Sequence, residues 1–183
     1  MDAAAHYRHL AALGRDEFLA AAAPAALVRQ RAEPAAYLEA GQTLTMELDE
    51  LVDPGEASAS GEVGEIEPRP HPRNAADTLE VYPLAKKPGA SFPDRITIGR
   101  TPNNDLEIAD PSVSRLHAYV RQRSTGAWVV ADAGSKNGSW LDDATLEPRR
   151  EIGLRPGSVI RLGDVVLTFY PSEHLFDLLG GRS

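Results

Sequence analysis

Residues 96–120, ITIGRTPNNDLEIADPSVSRLHAYV, and residues 129–141, VVADAGSKNGSWL, decide how this chain is read. Their apolar runs are short, rich in β-branched and aromatic side chains, and bounded by Pro, Asn, Asp, Gly and Ser, the residues that build turns. The same punctuation extends both ways from these segments. It predicts strands near 79–84, 95–98, 106–108, 117–122, 128–131, 139–141, 159–162 and 165–169, which is the spacing of a β-sandwich or barrel. A closing stretch from Ser172 to Leu179 reads as a short helix, N-capped by Ser172 and stopped at Gly180-Gly181.

Within residues 95–138 the polar residues and glycines fall at turns, where loops on a rigid β scaffold carry binding groups. Four clusters stand out: Gly99-Arg100, Ser114-Arg115 followed by His117, Ser135, and Asn137-Gly138. In this order and spacing the chain resembles the forkhead-associated (FHA) domain family, and the resemblance continues through GLRPGSVIRLGDVVLTF, so that it covers about residues 79–170. Each element alone is common; together, in a strand-and-turn setting, they are specific.

The resemblance implies a mainly β fold: a sandwich of two antiparallel sheets with a short C-terminal helix, whose loops at one end hold a phosphothreonine. A phosphate of about −1.5 to −2 charge with three acceptor oxygens calls for a cation of fixed donor geometry and for neutral donors. By resemblance, Arg100 is that cation, Ser114 supplies a hydroxyl, and Arg115 adds a second cation. A guanidinium fork can meet two oxygens at once, which an ammonium cannot. Asn137 is expected to pair with the peptide backbone, having both a donor and an acceptor on its amide. Lys136 stands where the family often has threonine, exchanging a hydroxyl for a positive charge. His117 is expected to brace the loops, and Gly99, Ser135 and Gly138 to shape them. Selectivity for residues flanking the phosphothreonine is expected from the loop near Trp140 to Asp143.

The implied function is a phosphothreonine-peptide-binding adaptor in Ser/Thr-kinase signalling, without catalysis or cofactor, whose partner is a phosphothreonine protein such as a kinase or its substrate. The alternative is a phosphate-independent interaction or self-association protein using the sandwich and the N-terminal helices. Ser135 does not read as a nucleophile, because Gly134-Ser135-Lys136-Asn137-Gly138 lacks the G-x-S-x-G elbow.

The remainder of the chain divides at composition shifts. Residues 1–32 are alanine-rich and read as a helical segment: Tyr7, Leu10 and Leu13 at helical spacing, a stop at Gly14, Asp16 as N-cap of a second helix, and Pro24 ending it. Leu27 and Val28 fit either helix or strand. Residues 33–76 read as an acidic, Pro/Gly-rich flexible linker, and 77–183 as the FHA domain. In the linker, Thr43 and Thr45 stand among carboxylates. Phosphorylated, either one offers a ligand for the chain's own loops or a second copy's; unmodified, they are ordinary linker residues.

Charge and composition exclude several classes. Residues 1–76 hold six Lys/Arg against thirteen Asp/Glu, a net of −7 out of −8 for all 183 residues, so DNA and RNA are repelled at long range. No apolar run is long enough to span a bilayer and no secretory leader is read, which makes the cytoplasm the expected location. The absence of cysteine removes disulfides, thiolate metal sites and thiol nucleophiles. His6 and His9 are two potential metal ligands without a third, and the carboxylates of residues 47–67 read as solvation.

Overall fold

A computed structural model describes residues 3–30 and 79–180. The expected linker, with Thr43, Thr45 and the carboxylates of 47–67, lies outside the described residues. The described elements are α1 (Ala3–Leu13), α2 (Arg15–Ala21), β1 (Ala25–Gln30), β2 (Leu79–Pro83), β3 (Ile96–Gly99), β4 (Leu106–Glu107), β5 (Ala118–Gln122), β6 (Trp128–Asp132), β7 (Ser139–Leu141), β8 (Ala144–Thr145), β9 (Ile152–Gly153), β10 (Val159–Leu162), β11 (Val165–Pro171) and α3 (Ser172–Leu178).

The strands form two sheets, one in the order β2-β1-β11-β10-β7-β8 and one in the order β4-β3-β5-β6-β9. Neighbours are antiparallel except β3 and β4, which run parallel. Alternate side chains turn inward, as the strand period requires. Ile98, Ala118, Val120 and Val130 from the second sheet meet Leu27, Ile160, Leu162, Leu167 and Phe169 from the first in one apolar core. Ile98 pairs with Ala118 and Ala118 with Asp132, so β3, β5 and β6 bring their adjoining loops out at one end.

A second apolar cluster covers the outer side of the first sheet. Tyr7, Leu10 and Phe18 from α1 and α2, with Leu175 and Phe176 from α3, pack on Ala26, Val28, Leu79 and Val81. Ring centroids lie 5.9 Å apart for Tyr7 and Phe18 and 5.4 Å for Phe18 and Phe176, both edge-on, the arrangement favoured by aromatic quadrupoles. The N-terminal helices therefore spend their apolar faces on the sandwich itself.

Three expectations are corrected here. The N-terminal segment is not helical throughout: β1 pairs with both β2 and β11, so residues 25–30 are an inner strand of the sheet, and the described residues 3–30 and 79–180 belong to one compact unit. Asp16 is not a cap, because α2 begins at Arg15 after Gly14, which has no side chain to offer. Ser172 is the first residue of α3, not its cap; Pro171 precedes it without a capping side-chain bond.

Candidate functional site

The β3–β4 loop and the segment before β5 touch backbone to backbone because residue 99 is glycine. A Cβ there would sit 2.2 Å from the Arg115 carbonyl oxygen and 2.7 Å from Asn104 Nδ2. Through this close approach the Arg100 amide donates to the Ser114 carbonyl at 2.9 Å, and the His117 amide to that of Ile98 at 2.9 Å. Buried Asn104 fastens the join, its Nδ2 donating to the carbonyls of Thr101 (2.9 Å) and Arg115 (2.6 Å). Arg100 and Ser114 are thus held on adjacent backbone.

Their side chains open on a cavity of about 830 Å³, whose lining includes Arg100, Asn103, Ser114, Arg115 and Lys136. Among the described residues three cations and no carboxylate line it. Among the described residues neither the Arg100 nor the Arg115 guanidinium is paired with an acid. The Ser114 hydroxyl oxygen accepts the Lys136 amide at 2.9 Å, which leaves its own O–H to give. That donor faces a positively charged space, the chemistry of an anion receptor.

Fully buried His117 ties two loops together. Its Nδ1 accepts the Ser114 amide at 2.9 Å, which puts the proton on Nε2, and Nε2 donates to the Gly138 carbonyl at 3.0 Å. Burial lowers its pKa below the ordinary 6.5, against the opposing pull of the Gly138 carbonyl and Asp132, so the ring is held neutral.

Asp132, at the end of β6, organises the third loop. One carboxylate oxygen accepts the amides of Gly134 (2.6 Å) and Ser135 (2.9 Å); the other accepts the hydroxyls of Ser135 and Ser139, each at 2.5 Å. Burial works to raise its pKa, but these four donors outweigh it and hold the carboxyl below the usual range. Ser135 in turn accepts the Gly138 amide at 3.0 Å, so its hydroxyl is fully used. Gly138 has φ of 84°, a left-handed turn that glycine accepts without strain.

Asn137 does not line the cavity. It is exposed beside Lys136, and its Nδ2 donates to the Ser112 carbonyl at 2.8 Å, leaving the amide oxygen open. Trp140 to Asp143 do not line it either: the Arg161 guanidinium stacks on Trp140 at 3.4 Å, and Asp142 receives the Val159 amide at 2.8 Å. Asp132 and Asn104 were not singled out in the sequence. A signal for Asp132 existed, since Asp132-Ala133-Gly134-Ser135 is the order of a turn in which an Asp side chain caps the amides two and three residues on. Among the described residues no group of three His, Cys, Asp or Glu gathers as a metal would require.

Fold and site together define a β-sandwich domain whose loops form a cationic receptor at one end. Residues 96–163 match the family model of the FHA domain, and the chain carries an FHA domain. Among curated proteins, an FHA domain-containing protein of Arabidopsis thaliana is 37% identical over 82 residues, covering 44% of this chain and 20% of that protein. An oxoglutarate dehydrogenase inhibitor of Corynebacterium efficiens is 38% identical over 98 residues, covering 52% of this chain and 66% of its own length. The chain thus spans less than two thirds of these relatives. Among solved structures, one from work on phosphothreonine-dependent FHA domain interactions is 28% identical, covering 50% of this chain and 83% of its own, with a TM-score of 0.41.

Proposed function

We propose that the chain is a phosphothreonine-peptide-binding adaptor acting in the cytoplasm in Ser/Thr-kinase signalling, with a phosphorylated kinase or kinase substrate as partner. Arg100, Ser114, Arg115 and Lys136 take the phosphate, and Asn137 takes the peptide backbone beside it. The observation that carries this reading is the join of Arg100 and Ser114 on the wall of one cavity, one a guanidinium without an acid partner among the described residues and the other a hydroxyl with its proton to give. Among the described residues that lining holds no His, Asp or Glu, and the site is read as one that binds. The alternative, phosphate-independent interaction or self-association through the sandwich and the helix residues Tyr7, Leu10, Phe18 and Leu19, is less favoured because Tyr7, Leu10 and Phe18 are buried on the sheet.

Titration of the full chain with an oriented library of phosphothreonine peptides, with phosphoserine and unphosphorylated controls, tests the proposal. Binding that requires the phosphate is expected; equal binding of phosphorylated and bare peptides would refute it.

A further inference from the structure

Past Leu116 the wall of the cationic cavity continues into a second recess of about 350 Å³, lined chiefly by Phe92, Arg95, Leu116, Tyr119, Ala133 and Arg149. It lies on the face of the second sheet turned from the core: Tyr119 alternates along β5 with the core residues Ala118 and Val120. The two spaces share Leu116, and Ala133 of the recess adjoins Gly134 of the cavity. The two spaces therefore lie side by side.

The recess is built from both apolar and cationic groups. Phe92 and Leu116 are 49% and 39% exposed, and Tyr119 supplies a second ring. The Arg95 guanidinium lies 4.6 Å from the Tyr119 ring centroid and is also bonded to its neighbour Asp94. Arg149 has no carboxylate partner among the described residues. The backbone adds an independent sign. Four described non-glycine residues have positive φ; Asp142 and Asp143 form the β7–β8 hairpin turn, where such values are usual, but Phe92 (62°) and Arg149 (65°) both line the recess. Left-handed backbone disfavours bulky side chains, and here it is kept at two residues that present theirs to one space.

We propose that this recess is a second subsite for the same phosphopeptide, holding a large apolar side chain with a carboxylate beside it at a position flanking the phosphothreonine. The rings and Leu116 receive the apolar group, and Arg149 receives the acid. The inference rests on the phosphothreonine reading above.

Calorimetric titration of the full chain tests it, using an alanine-flanked phosphothreonine peptide as reference and a series carrying Leu-Glu or Phe-Glu at successive positions on either side. One position is expected to raise affinity about tenfold or more, the size of gain a well-filled apolar pocket gives. The double variant Phe92→Gly, Arg149→Gly suits the positive φ at both sites, so it should keep its melting temperature and its affinity for the reference peptide while losing that gain. Absence of a gain at every position, or its persistence in the double variant, would overturn the subsite alone. Failure of the reference phosphopeptide to bind the wild-type chain would overturn the phosphothreonine reading and the subsite with it.

Discussion

The helical side of the sandwich and its loop end are stabilised by opposite means. Under α1, α2 and α3 the contacts are apolar, with Phe18, Leu175 and Phe176 wholly buried. At the loop end the buried groups are polar, Asn104, His117, Asp132 and Ser139, and each is engaged by hydrogen bonds. Apolar packing tolerates small shifts, whereas a hydrogen-bonded loop has a defined geometry and a high cost for losing any one partner. The proposed receptor, which has to offer a guanidinium and a hydroxyl to one anion, needs the second kind of construction. The helices need only the first.

The largest effect should therefore come from the helical side and fall on stability alone. Phe18→Ala is expected to cost about 3–5 kcal/mol of unfolding free energy, read by denaturant melts, while the folded fraction retains its phosphopeptide affinity. Lost affinity in the folded fraction would break the division between the two regions. Asp132→Ala probes the loop end: four donors lose their acceptor, at about 3 kcal/mol. This variant should weaken phosphopeptide binding as well as stability.

Arg100→Ala should reverse the pattern of Phe18→Ala, with melting unchanged and affinity reduced by about 1.5–3 kcal/mol, roughly 10- to 150-fold. Arg100→Lys should be only partly tolerated, since an ammonium cannot reproduce the fork. The smallest effect concerns pH. The folded-state pKa of His117 is lowered, so the unfolded chain takes up that proton first as pH falls. Its contribution is complete above about pH 6.5 and is lost as pH drops through the lowered folded value. Ligand-free melting temperatures from about pH 8 to about pH 5 check this without interference from the phosphate, which itself titrates near pH 6.

The sequence made the loop end more legible than the helical side. Strands β2 to β7, β10 and β11 are short runs between turn residues, and they lie within a residue or two of where the turn chemistry puts them. Strand β1 was ambiguous for a physical reason: Ala25 and Leu27 face one core while Ala26 and Val28 face the other, so Ala-Ala-Leu-Val shows no alternation. Strands β8 and β9, two residues each, are too short to leave a pattern. At the candidate site, Arg100, Ser114 and Asn137 could be picked out as polar residues at turns. Asn104 could not, because what distinguishes it is burial, and a buried amide looks in sequence like any Asn of a loop; Asp132 carried the Asp-Ala-Gly-Ser turn order but no sign that its carboxylate is buried.

A crystal structure of the chain bound to a phosphothreonine peptide tests the central claim most directly. Phosphate oxygens within hydrogen-bonding distance of both the Arg100 guanidinium and the Ser114 hydroxyl are the predicted result. A phosphate seated elsewhere, with that pair left facing solvent, would contradict it.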